Sequence, residues 1–162
     1  MNDIHIREAR GADIEHIVRI ASKAWRPIYE HRMREMGTEL YGAFFPDCQS
    51  SKASELRVSF HSSKILFYVA EIAQRIVGFV SCHPDEASGT AEIGNNAVDP
   101  DFQGRGVAGI MYEHIFDCLR ALGIHYVQLN TGDDPAHRPA RRAYQKSGFQ
   151  THISSVRYFR KI

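Results

Sequence analysis

The chain has 162 residues, 43% of them apolar, with 20 basic and 19 acidic side chains and a formal net charge of +1. That length suits one domain, spanning 1–162, with a core of its own, and the near balance of charge without a sustained basic stripe argues against a nucleic-acid scaffold. No apolar run approaches membrane-spanning length, and the opening MNDIHIREAR is charged from Asp3, which argues against a signal peptide and a membrane partner.

The three cysteines, Cys48, Cys82 and Cys118, lack CxxC or Cys/His metal spacing. They read as reduced structural thiols, which places the chain in the cytoplasm. The histidines show no metal spacing either, so no metal is expected.

Ile4 and Ile6 alternate with polar residues as a first strand does. Asp13 suits a helix start, and Ile14, Ile17, Val18, Ala21 and Trp25 mark one helical face that Pro27 ends or kinks. The stretch 28–60 reads as helix interrupted at Gly37, Gly42 and Pro46. Two strands, 65–72 and 76–82, form a hairpin through a tight turn, and 83–89 reads as a loop. Thr90 to Val98 is a further strand. Gly94, Asn95 and Asn96 are poor strand formers in its middle, so a bulge is expected there.

The strongest helix follows, with Val107, Ile110, Met111, Ile115, Cys118, Leu119 and Leu122 at spacings of three and four, and Gly123 as its stop. A strand over 126–130 precedes a last helix that Pro139 begins and Gly148 ends, and 149–159 reads as one or two final strands. The order is that of a mixed α/β domain.

The segment Gln103-Gly104-Arg105-Gly106-Val107-Ala108 joins a strand to the strongest helix through a glycine-rich turn. Helix N-termini offer unpaired N–H groups and partial positive charge, and glycines let the backbone approach an anion, so the turn suits a pyrophosphate. It is not a P-loop, because no Gly-Lys-Ser/Thr follows. Gly104, Gly106 and Gly109 match a dinucleotide pattern by letter, but the turn falls late in the chain, after a hairpin. A ligand-free tight turn is the other reading.

This segment resembles the Gln/Arg-x-x-Gly-x-Gly/Ala signature of the GNAT acetyltransferase superfamily. Ala97-Val98-Asp99-Pro100 resembles the strand leading into it, and Ala140 to Phe149 resembles the family's second motif, Ala-x-x-x-Tyr-x-x-x-Gly-Phe, with Tyr144 as its tyrosine. The resemblance implies an α/β (α+β) fold with a mostly antiparallel sheet, a central splayed parallel strand pair and flanking helices. It implies transfer of acetyl from acetyl-CoA, a cosubstrate, to a primary amine. Cofactor contacts fall on the backbone around Asn96, Ala97 and Val98 and on Gln103, Gly104, Arg105, Gly106, Val107 and Ala108. The family often has Asn seven residues before the tyrosine, where it contacts the cofactor. Here that residue is His137, read either as that contact or as a loop histidine capping the helix.

By the same resemblance Tyr144 protonates the departing sulfur, or else is a core aromatic. Glu92 is the first candidate base, or else a surface carboxylate, with His125, Asp133 and Asp134 behind it. Trp25, Tyr29 and the broken helices to Phe60 border the acceptor side, or else Trp25 is a core residue that continues the apolar face of its helix. The acceptor is a small-molecule or peptide amine, and the sequence admits a homodimer. A non-catalytic acetyl-CoA sensor of the same fold is the competing function, and retention of Tyr144 favours the enzyme.

Overall fold

The computed structural model of the protein describes residues 3–162. Strand β1, His5–Glu8, is followed by helix α1, Ile14–Phe44, and helix α2, Cys48–Phe60. Strands β2 (Leu66–Ile72), β3 (Arg75–Asp85) and β4 (Thr90–Val98) lead to helix α3 (Val107–Ala121), strand β5 (Tyr126–Leu129) and helix α4 (Arg138–Lys146). The five strands form one sheet in sequence order, antiparallel except for the parallel β4–β5 pair.

Strand β3 is buried continuously from Ile76 to Cys82, as expected of a central strand covered on both faces. On one face α3 and α4 deliver Val107, Met111, Ile115, Leu119 and Tyr144 onto Val77, Val80, Ala91 and Ile93. On the other, Ile17, Ile20, Ala21 and Leu56 of α1 and α2 cover Phe67, Val69, Phe79 and Ala97. The β2–β3 turn takes left-handed dihedrals at Ala73 and Gln74, with φ of 48° and 63°, matching the strand twist.

Several expectations change. Pro27 sits inside α1 without ending it, and the one residue of that helix with non-helical dihedrals is Gly37. The carbonyl that Pro27 leaves without its helical donor belongs to Lys23, an exposed residue, so the lost bond falls on the solvent side of the helix. Gly42 stays helical, and the next break lies at the Pro46 turn. The loop expected over 83–89 shortens because β3 runs on to Asp85. Asp13 marks the start of α1 by position, but its carboxylate takes Arg7 Nη1 and the Arg10 N–H, both at 2.7 Å, rather than capping the helix.

The largest correction concerns the C-terminus: residues 149–162 form no strand. Phe149, Ile153, Val156 and Phe159 recur at three or four residues, a spacing that gives a strand no single apolar face. Instead Phe149 packs on Phe116 and Tyr144, and Phe159 packs on Phe44 and Phe45 at the end of α1. The parallel pair therefore lies at the sheet's edge, not at its centre, and Tyr126 on β5 is 74% exposed.

Candidate active site at the splayed strand pair

Strand β5 pairs with β4 only from Thr90↔Tyr126 to Ile93↔Leu129, while β4 continues to Val98. A gap opens where the pairing stops. At that point β4 bulges: Val80 pairs with Asn96 and Cys82 with Ile93, so Gly94 and Asn95 share the place opposite Ser81. Ser81 Oγ donates to the Asn95 carbonyl at 3.2 Å. A methyl group on Gly94 would stand 2.8 Å from that Oγ, so the bulge closes only around glycine.

The extra residue switches which side chains face which side. Ala91 and Ile93 point into the α3/α4 core, and past the bulge Asn96 points the same way while Ala97 joins the α1/α2 cluster. Asn96 Oδ1 then accepts from Tyr112 OH at 2.9 Å and from Tyr144 OH at 3.2 Å. Asn96 Nδ2 donates to the Gly94 carbonyl at 3.1 Å. Tyr144 is 7% exposed and Tyr112 2%. Burial raises the pKa of the Tyr144 hydroxyl, only partly offset by its bonds to Asn96 and Tyr112. Burial and the neighbouring Tyr144 push Tyr112 up as well. Both phenols stay protonated and able to donate.

The glycine-rich turn lies at the far end of β4. Gln103 Nε2 donates to the Val98 carbonyl at 3.0 Å and closes the turn on the strand. Gly104 and Gly106 have φ of 75° and 82°, with open space where a side chain would stand; only glycine takes such angles without strain. Val107, 2% exposed, anchors the start of α3 in the core. The first helical bond runs from Ile110 N–H to the Gly106 carbonyl, leaving the N–H groups of Val107, Ala108 and Gly109 without helical acceptors beside an exposed turn. Arg105 folds back, donating to the Asp101 carbonyl at 3.0 Å and covering the Phe102 ring.

Glu92 lies on the other side. Its neighbours Ala91 and Ile93 point into the α3/α4 core, so its side chain leaves by the α1/α2 face, where Asn130 Nδ2 meets Oε1 at 3.3 Å. Glu92 and Tyr144 thus flank the gap from opposite faces. His83 stands across from Glu92, with Nε2 beside Gly94. His137 ends the 3-10 turn Pro135–His137 that opens α4, with Nδ1 2.6 Å from Asp134 Oδ2. His125 precedes β5 at the end away from the gap. Trp25 and Tyr29 line a groove between α1 and α2 with Val18, Ala21, Ala53 and Leu56, and Trp25 meets Phe79 edge-on.

Sequence reading missed Tyr112, His31 and His83. Tyr112 follows Met111 on the periodic face of α3, and its register was the available signal; the other two carry no local motif. Among the described residues no three His, Cys, Asp or Glu side chains group as metal ligands, and no helix is long and apolar enough to cross a membrane.

The sequence profile of the acetyltransferase (GNAT) family matches residues 24–149. An uncharacterized N-acetyltransferase of Methanocaldococcus jannaschii is 32% identical over 89 residues, 52% of this chain and 38% of that protein. The match therefore spans less than half of that relative. Three solved structures illustrate the shared fold. PaiA N-acetyltransferase from Thermoplasma acidophilum, in complex with coenzyme A, superposes with a TM-score of 0.70 at 18% identity, over 94% of this chain and 93% of that one. The ribosomal-protein-S18-alanine N-acetyltransferase of Escherichia coli gives 0.67 at 19% identity, over 93% and 80%. An aminoglycoside acetyltransferase from an uncultured soil sample, in complex with sisomicin, gives 0.60 at 16% identity, over 98% and 96%.

Proposed function

Because the chain belongs to the GNAT family of acetyltransferases, we propose that it transfers acetyl from acetyl-CoA to a primary amine by direct attack, without a covalent enzyme intermediate. The observation that carries this reading is the Tyr144 hydroxyl, held on Asn96 beside the opening between β4 and β5. A binding module needs no proton donor there. Release of free thiol from acetyl-CoA in the presence of an amine tests the reading.

The diphosphate of the cosubstrate sits on the turn from Gln103 to Ala108, held by the N–H groups of Val107 and Ala108 because the Gln103 N–H already donates to the Pro100 carbonyl at 3.3 Å, and its pantetheine arm runs along the strand edge at Asn96–Val98, with His137 as a further contact. The amine nitrogen forms its bond to the thioester carbon while the C–S bond breaks. Tyr144 protonates the leaving sulfur. To do so its hydroxyl turns away from Asn96 Oδ1, which stays satisfied by Tyr112. That arrangement lets the donor move without leaving a buried acceptor bare.

The attacking amine must be neutral, and an alkylammonium has a pKa of about 10. Glu92, on the acceptor-facing side, takes the ammonium proton, directly or through water. Glu92→Gln is expected to slow transfer by roughly 10²-fold near pH 7 and far less near pH 10, where the amine supplies its own neutral form. A variant whose pH–rate profile overlays the parent's shows that Glu92 is not the base. Solved relatives named for an aminoglycoside and for a ribosomal-protein alanine support an amine acceptor, small-molecule or peptide. Use of acetyl-CoA and three free thiols support a cytoplasmic site.

A further inference from the structure

The loop from Asn130 to His137 joins β5 to α4 at the open end of the gap, and it is organised around one carboxylate. Asp134 Oδ1 accepts from the N–H groups of Ala136 at 2.9 Å and His137 at 3.2 Å. Asp134 Oδ2 stands 2.6 Å from His137 Nδ1. Arg141 Nη1 clamps the loop from α4, donating to the carbonyls of Gly132 at 2.6 Å and Asp134 at 2.8 Å. A methyl group on Gly132 would overlap both Asp134 Oδ2 and His137 Nδ1, so the backbone leaves room for this pair and little else. From α1, His31 Nε2 approaches Asp134 Oδ1 at 4.0 Å. The His137 side chain is 16% exposed.

An ionised carboxylate only accepts hydrogen bonds, so the proton between His137 Nδ1 and Asp134 Oδ2 belongs to Nδ1, and Nε2 is the ring nitrogen not engaged by the carboxylate. Burial opposes ionisation of Asp134, but the bonds from the His137 ring and from the His137 and Ala136 N–H groups outweigh it and hold its pKa below the ordinary carboxylate value. An imidazole oriented in this way by a carboxylate is the arrangement of a general base. The reaction has work for one beyond Glu92. A neutral amine that attacks a thioester becomes a charged nitrogen in the tetrahedral intermediate, and it must shed a proton before the amide is complete. His83, beside Gly94, has no carboxylate orienting it among the described residues.

We propose that His137, oriented by Asp134, accepts the proton that the nitrogen loses as the C–N bond forms. The inference rests on the proposed acetyl transfer. Nitrogen gives its proton to Nε2, the resulting imidazolium is stabilised by Asp134, the C–S bond breaks, and Tyr144 supplies the proton that completes the thiol. His137 then releases its proton to water, and Tyr144 regains one.

His137→Asn is the discriminating variant. The His137 side chain makes no cap bond to α4, and asparagine keeps a side-chain N–H for Asp134, so a loop-holding or cofactor-holding role survives the change. A proton-accepting role does not. We expect kcat to fall by roughly 10²-fold with little change in acetyl-CoA affinity. The acid limb of the pH–rate profile that protonation of an imidazole produces should disappear. The charged and titratable groups around His137 are Asp134, His31 from α1, and Arg141, which also stands 3.9 Å from Asp133. His31→Asn should leave that limb in place.

Nitrogen NMR of the parent at neutral pH supplies a readout free of turnover: His137 should hold its proton on Nδ1. Parental kcat and an unchanged profile in His137→Asn, or an Nε2–H tautomer, overturn the inference and leave acetyl transfer standing. Failure of the parent to bind acetyl-CoA overturns the functional reading, and this inference with it.

Discussion

Tyr144→Phe should lower kcat by roughly 10²–10⁴-fold while leaving acetyl-CoA affinity nearly unchanged. The ring is 7% exposed and packs against Tyr112 and Phe149, contacts that phenylalanine keeps. Only the hydroxyl is lost. Asn96 Oδ1 still accepts from Tyr112, so no buried acceptor is stranded, and the stability cost should stay near 1 kcal/mol. The protonated hydroxyl that burial maintains is the group proposed to meet the departing thiolate. The deficit should shrink with an acyl donor whose leaving group is a weaker base, because that donor needs less proton assistance. Matching circular dichroism spectra are the required control. A folded variant with parental turnover would make Tyr144 a packing residue.

Gly106→Trp should abolish acetyl-CoA binding, weakening affinity by about 10²-fold or more. Acetyl-CoA at about 100 Kd should raise the parent's melting temperature by roughly 5–10 °C, and the variant should show no such rise. A bulky side chain at the cap covers the N–H groups of Val107 and Ala108 that the diphosphate needs. Gly106 has φ of 82°, so the variant also carries backbone strain of about 1–2 kcal/mol and its unliganded stability must be compared with the parent's. Gly109→Glu separates the two effects. Gly109 lies in the first turn of α3 with open space beside it and without a positive φ. A carboxylate there favours the helix end but repels a diphosphate, so stability should hold or rise while affinity falls. Undiminished acetyl-CoA affinity in both folded variants removes the diphosphate from this turn.

The parts of the site that sequence made visible are local. Gly94, Asn95 and Asn96 interrupt an otherwise regular strand, and that interruption is the bulge. The bounds of β4 and the start of α3 follow from apolar spacing and two glycines within a few residues. What escaped depends on distant residues meeting. Asn96 joins Tyr112 and Tyr144 across 16 and 48 residues, and Asp134 reaches His31 from another helix. No short pattern records such pairs. The misread tail shows the same limit: 149–159 has strand-forming residues, yet Phe159 finds Phe44 and Phe45 instead of a strand partner. Pro27 misleads in the opposite direction, because a solvent-facing carbonyl tolerates what a buried one would not.

The most direct test of acetyl transfer is a titration of free thiol released from acetyl-CoA by the parent protein over a panel of primary amines, with the N-acetylated product measured in the same samples. The expected result is one thiol per amide formed, with at least one amine and none without the protein. Saturable acetyl-CoA binding with neither thiol nor amide from any amine would contradict catalysis and leave a cosubstrate-sensing domain in its place.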